Sequence, residues 1–231
     1  MPAFNAADHL QETIARIQKK SWTSLCKLYI INDGSSDSTL AIAQELSKKN
    51  DSITVIDFKT NRGYGAVVKE GFKRCKNDGC DYAVCLHSDG QYPPESLPEF
   101  IDTMEAGTID LLQGSRIASG GALKGGMPVY KYIANRCLTF FENIVFGLRL
   151  TDFHSGFLCY SRLFLDTIDL DRLSNSFDID VELIASARRK KLTIAELPIP
   201  TRYAGEISHV RSVPYGLCIV RIMIRYLLGR Y

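Results

Sequence analysis

Along the first half of the chain, apolar positions switch regularly between helical and strand spacing. Leu10, Ile14 and Ile17 recur at helical intervals between Asp8 and Lys20, and the short apolar run Leu28 to Ile31 follows. A second helical pattern occupies Ser38 to Lys49 through Ile42, Ala43 and Leu46, and Ile53 to Phe58 reads as a strand. A helix is then predicted from about Ala66 to Lys76, a strand over Tyr82 to Leu86, a helix near Glu95 to Glu105 and a strand over Ile109 to Leu112. Strands alternating with helices predict an α/β domain with a mostly parallel central sheet, right-handed crossovers and flanking helices. Such a domain opens on a strand. Here Pro2-Ala3-Phe4-Asn5 reads as a strand-to-helix loop with nothing before it, so a truncated first strand is expected.

The second half is less regular. Ile117 to Met127 carries Gly120, Gly121, Gly125 and Gly126, the composition of a loop. Helices are predicted from Val129 to about Phe146 and from Asp178 to Lys191, and a strand over Leu192 to Leu197, closed by Pro198 and Pro200. The last segment, Val213 to Tyr231, sets Leu217, Val220, Ile224, Leu227 and Leu228 in one helical stripe, with Arg221 and Arg225 one turn apart. Two units are therefore expected: a main domain over 1–212 and a C-terminal amphipathic helix over 213–231. The stripe suits either packing on the core or lying at a membrane surface, with both arginines near lipid phosphates.

Composition narrows the class. With 231 residues, 45% of them hydrophobic, the chain can bury a real core, and its formal net charge of +2 argues against a nucleic-acid binder. Seven cysteines without a Cys-x-x-Cys pair suit a reduced protein better than a disulfide framework or a zinc site, and Cys85 and Cys159, within apolar strand-like runs, read as buried hydrophobes. The N-terminus shows neither the basic segment nor the apolar run of a secretory leader, and a cytoplasmic protein is expected.

The chemistry is expected where strands empty into acidic, glycine-bearing loops, because ligands of α/β sheets bind past the carboxyl ends of the strands. Two such loops stand out: Asn32-Asp33-Gly34-Ser35-Ser36-Asp37, and Leu86-His87-Ser88-Asp89-Gly90-Gln91. Asp89, Gln91 and His87 would arrive where a metal-bound phosphate could sit. Asn61-Arg62-Gly63-Tyr64-Gly65 lacks the further residues of a dinucleotide or Walker-type phosphate loop; it suits a close backbone approach, with Arg62 available to a phosphate.

Taken in chain order, these segments resemble the family 2 glycosyltransferases of the GT-A fold, a Rossmann-related architecture. The resemblance rests on Pro2-Ala3-Phe4-Asn5, Asn32 to Thr39, Asn61 to Ala66, Ser88-Asp89-Gly90-Gln91 with Pro94-Glu95, Gly114-Ser115-Arg116, Asp152 with Ser155-Gly156-Phe157, and Glu196 with Pro198-Ile199. Within the family it is nearest to the dolichyl- and polyprenyl-phosphate mannosyl- and glucosyltransferases. It implies a divalent cation, Mn²⁺ or Mg²⁺, at an Asp-x-Asp loop whose second carboxylate is Asp89, with Gln91 assisting. His87 occupies the place of the first Asp, and an imidazole there favours Mn²⁺ over Mg²⁺.

The resemblance further implies that Pro2, Ala3, Asn5 and Asp33 surround the nucleoside of a UDP- or GDP-sugar, with Arg62 and Gly63 near base or ribose. Ser88, Asp89 and Arg116 would serve the same donor, and Arg202 would close over its phosphates. Asp152 is the acceptor-side acid, catalytic together with Asp89. With a lipid phosphate as acceptor Asp152 positions, whereas with a hydroxyl it is the natural base. The expected function is inverting sugar transfer to a polyprenyl or dolichyl phosphate at the cytoplasmic face of a membrane. The alternatives are transfer to a saccharide hydroxyl and a non-catalytic nucleotide-sugar-binding subunit.

Overall fold

The computed structural model describes residues 1–118, 120–123, 125–200 and 212–231, the side chain of Ser212 excepted. Seven strands and nine α-helices run through the described residues. The strands are β1 (Pro2–Ala3), β2 (Leu28–Asp33), β3 (Ile53–Phe58), β4 (Tyr82–Cys85), β5 (Leu111–Ser115), β6 (Leu158–Ser161) and β7 (Ile194–Pro198). The helices are α1 (Leu10–Ala15), α2 (Lys19–Ser24), α3 (Thr39–Lys49), α4 (Tyr64–Asn77), α5 (Leu97–Ala106), α6 (Val129–Phe146), α7 (Arg162–Thr167), α8 (Ile179–Arg189) and α9 (Ser212–Leu227).

The α/β alternation of the first half is present, and its strands pair in parallel, β1 on β2 and β2 on β3. The second half is mixed. β6, the apolar run around Cys159, lies antiparallel between β4 and β5, and β7 returns parallel to β5. The sheet therefore forms two hydrogen-bonded ladders, β1-β2-β3 and β4-β6-β5-β7. β1 has two residues, matched to Ile31 and Asn32. The two ladders still share one core: Met1, Ala3 and Ile30 pack in the same cluster as Leu86, Leu112, Phe157 and Cys159.

Other differences are local. The helix expected over Asp8 to Lys20 is two helices: α1 ends at Ala15, and Gln18, with an extended backbone, precedes α2. The strand expected from Ile109 starts at Leu111; just before it, the Asp110 carboxylate accepts from Thr193 N and Ser161 Oγ.

α9 packs against α6 and α8. Ile219 and Ile222 are buried in the large core cluster, with Tyr215, Met223 and Tyr226 against it. Arg225 does not face outward as expected. Its guanidinium donates to Glu182 Oε1 at 2.6 Å, and the Tyr231 hydroxyl donates to the same oxygen at 2.8 Å. Glu182 is buried, and a buried carboxylate requires such partners. The stripe formed by Leu217, Val220, Ile224, Leu227 and Leu228 is exposed.

Candidate active site

The loops beyond β1 and β2 are tied to one another. Asn5 sits in the left-handed region (φ 48°), its amide donating to Ser35 Oγ at 3.0 Å and its Oδ1 accepting from Ser36 N at 2.9 Å. Asp33, 4% exposed, accepts from the amides of Arg62 (2.7 Å) and Gly63 (3.0 Å), so its carboxylate organises the loop after β3. Gly34 (φ 69°) makes this approach possible, since a Cβ there would lie 2.6 Å from Asn61 N. Gly63 also requires a missing Cβ, but its neighbour is the carbonyl of Asn175. The close approach expected of that loop is therefore made to the protein's own backbone. Arg62 is exposed and lies over the Phe58 ring at 4.4 Å. Ala3 is buried and Pro2 half-buried beside it.

The loop after β4 is anchored from beneath. Ser88, buried, accepts at its carbonyl from Thr13 Oγ1, and Gly90 (φ 73°) accepts at its carbonyl from Arg16 Nη1. Asp89 stays half-exposed, with Oδ1 accepting from the Gln91 amide at 3.1 Å. His87 is engaged inward. Its Nε2 lies 3.0 Å from the Tyr64 hydroxyl, which is 3.2 Å from both carboxylate oxygens of buried Asp180. Burial holds the imidazole pKa below its usual range. Burial also pushes the Asp180 carboxyl up to about 8, so it keeps its proton at neutral pH. Tyr92 packs edge-on against His87 and accepts from Gly156 N, joining this loop to the segment carrying Asp152.

Asp152 is fully buried. Arg116 grips it from Nε (2.9 Å) and Nη2 (3.2 Å), while Asn135 Nδ2 and the His154 amide donate to Oδ1. Burial alone would raise this carboxyl, but the guanidinium and the hydrogen bonds outweigh it and hold the pKa at about 2. Behind it, His154 lies 3.0 Å from the Tyr215 hydroxyl through Nδ1 and 3.2 Å from buried Glu142 through Nε2.

The structure thus brings Asp89, His87 and Gln91 together on one loop, and joins Asp33, Arg62 and Gly63 in a second cluster with Pro2, Ala3 and Asn5 at its side. Arg116 pairs with Asp152 in a third. Arg202 lies outside the described residues. The spacing rules pass over Tyr64, Tyr92, Asp180 and Glu142; the one local signal is that Asp180 and Glu182 interrupt the apolar run Ile179 to Ala185.

Among the described residues, no group of three or more His, Cys, Asp or Glu side chains could hold a metal ion by itself. One half-exposed carboxylate and one imidazole committed at Nε2 instead fit a cation whose other ligands come from the phosphates of a donor.

A parallel ladder ending in acidic loops, joined to a mixed ladder and flanked by helices, is the GT-A type of sugar-transferase fold. The Glycosyl transferase family 2 pattern matches residues 1–169, and the chain belongs to that family and is a glycosyltransferase. Over 244 aligned residues it is 26% identical to a UDP-N-acetylglucosamine–dolichyl-phosphate N-acetylglucosaminyltransferase of Methanococcus voltae, covering 100% of this chain and 95% of that one. It is 28% identical over 200 residues to an undecaprenyl-phosphate mannosyltransferase of Micrococcus luteus, covering 86% and 80%. A glucosyl-3-phosphoglycerate synthase of Mycobacterium tuberculosis, crystallised with phosphoglyceric acid, shares the fold at a TM-score of 0.68 and 16% identity, over 97% of this chain and 77% of that one. The same synthase with Mn²⁺, uridine diphosphate and phosphoglyceric acid matches at a TM-score of 0.64 and 17% identity, over 99% and 76%.

Proposed function

We propose that this glycosyltransferase moves a hexosyl group from a UDP- or GDP-sugar to a polyprenyl or dolichyl phosphate, with inversion, at the cytoplasmic face of a membrane. The observation that carries the choice of acceptor is the state of Asp152. A carboxylate held at about 2 and occupied by Arg116, Asn135 and a backbone amide is a poor base for a sugar hydroxyl. A phosphate acceptor needs no base, because its oxygen is already anionic. In that reaction the acceptor oxygen bonds to the anomeric carbon, the bond from that carbon to the nucleoside diphosphate breaks, and no proton changes hands. The named relatives that act on dolichyl and undecaprenyl phosphate support the same choice.

The residues divide the work. Pro2, Ala3, Asn5, Asp33, Arg62 and Gly63 frame the nucleoside, with Asp33 acting through the loop amides it holds. Ser88 and Asp89 present the loop to the diphosphate, and Arg62 offers it an exposed positive charge. Asp89, Gln91 and His87 would hold Mn²⁺ or Mg²⁺, with His87 limited to Nδ1 because Nε2 is taken. The cation supplies neutralisation of the leaving diphosphate. Asp152 fixes Arg116, whose charge faces the acceptor side, and Arg202 is the further candidate for closing over phosphate.

Incubation with radiolabelled nucleotide sugars and polyprenyl phosphate in detergent should move label into the organic phase. Label that stays aqueous on a saccharide, with none extracted, would overturn the lipid acceptor. Asp89→Ala should abolish cation-dependent donor binding measured by calorimetry.

A further inference from the structure

The end of α4 gathers three of the seven cysteines. Asp78 caps the helix and Gly79 turns into the left-handed region (φ 73°). Two backbone bonds close the turn: Gly79 N donates to the Lys76 carbonyl at 3.2 Å, and Cys80 N donates to the Cys75 carbonyl at 3.0 Å. This pair of bonds is the Schellman motif, which sets the side chains of its two outer residues against each other. Here both outer residues are cysteines, Cys75 and Cys80. A third thiol comes from the chain entering β2. α4 packs on β2, and the Tyr29 hydroxyl donates to the Asp78 carboxylate, which holds the start of β2 beside the end of α4. Just before that start, the Cys26 thiol meets the thiol of Cys80.

Access separates the three. Cys26 is exposed, whereas Cys75 and Cys80 are half-buried. Burial pushes the Cys75 thiol up and the Cys80 thiol up to about 12, so neither is a ready nucleophile at neutral pH. An oxidant arriving from solution therefore meets Cys26 first, and the partner within its reach is Cys80. The arrangement does not suit a metal ion, which leaves thiol chemistry.

We propose that Cys26 and Cys80 form a reversible disulfide site, oxidised by exchange with a low-molecular-weight disulfide. The Cys26 thiolate attacks one sulfur of the small disulfide, a mixed disulfide forms on Cys26, and one small thiol leaves. The Cys80 sulfur then attacks the Cys26 sulfur, the second small thiol leaves, and the protein disulfide remains. Two electrons pass from the cysteine pair to the small disulfide, and the two cysteine protons end on the released thiols. The new bond closes a long loop that holds β2, α3, β3 and α4. It ties the approach to β2 to the approach to β4, at the ends of those strands away from the Asp33 and Asp89 loops. Closing a long loop stabilises mainly by restricting the unfolded chain. Oxidation thus acts on stability, apart from the loops proposed to hold the donor.

Incubation of the reduced protein with excess oxidised glutathione, then alkylation in denaturant and peptide mass mapping without reductant, tests the site. The peptides of Cys26 and Cys80 should appear joined, with Cys75 alkylated and the exposed Cys137 carrying no more than glutathione. Dithiothreitol should reverse the bond. Oxidation should raise the melting temperature by about 5 °C. Cys26→Ser, an exposed change, should abolish both the bond and the rise, whereas Cys75→Ser should keep both. The proposal is overturned if Cys26 stops at the glutathione adduct, if Cys75 and Cys80 pair instead, or if Cys26 joins two chains. A Cys26–Cys80 bond that leaves the melting temperature where it was would overturn the stabilising role.

Discussion

The two halves of the molecule use their carboxylates in opposite ways. In the first half Asp33 and Asp37 accept from backbone amides of loops near them, which ties those loops together. In the second half Asp152, Asp180 and Glu182 are buried and answer side chains brought from distant elements. The first arrangement joins neighbouring loops at the ends of the parallel strands, the surface proposed above to take the nucleotide. The second fixes charges and helices in place at a cost in desolvation, which is recovered only while every partner is present. Stability and acceptor geometry should therefore be fragile in the second half and robust in the first.

The largest expected effect follows from Asp152→Ala. It leaves the Arg116 guanidinium, with its side chain 14% exposed, without its main counter-charge. Loss of one partner of such a pair costs about 3–5 kcal/mol. Urea denaturation should show that loss, together with loss of transfer. A variant that keeps its stability would mean that Arg116 finds other partners and that the two halves differ less than their contacts indicate.

A smaller effect concerns pH and Asp180. Its carboxyl holds a proton up to about pH 8 in the folded chain, against an ordinary value of 3.8 when unfolded. Between those values the native state binds the extra proton, so this group's contribution to stability falls as pH rises from about 4 to about 8. Asp180→Asn keeps a hydrogen-bonding partner for Tyr64 and removes the titration. Melting temperatures across that window should flatten in the variant relative to the parent. An unchanged slope would show that Asp180 is ionised beside Tyr64 after all.

The contrast also explains what could be read from the sequence. The loops after β1, β2 and β4 were legible as turns because each is a local device: a strand, a turn-forming Asn, Asp or Gly, and a helix start within a few residues. The parallel ladder followed from the same alternation. The acceptor half depends on pairings without local signature. Tyr64 and Asp180 stand 116 residues apart, and Arg225 and Glu182 stand 43 apart. The insertion of β6 between β4 and β5 reverses strand direction in a way that apolar runs do not encode. The same limit misled the reading of Arg225, since helical spacing gives its neighbours on α9 but not the buried Glu182 beneath it.

The smallest effect is the sharpest test of the donor side. Asn5 joins the loop after β1 to the loop after β2 through Ser36 N, and its own amide meets Ser35 Oγ. Asn5→Ala removes the two hydrogen bonds that Asn5 Oδ1 accepts from Ser36 N and Ser36 Oγ at an exposed place, and puts alanine at φ 48°, a conformation asparagine tolerates better. The stability loss should be near 1 kcal/mol, far below that of Asp152→Ala. If the joined loops shape the nucleoside pocket, KM for the sugar nucleotide should rise several-fold while kcat stays nearly constant, because the change loosens binding without touching the reacting groups. A fall in kcat with unchanged KM would place Asn5 on the reaction side of the site. The donor loops would then be coupled to the buried half rather than independent of it.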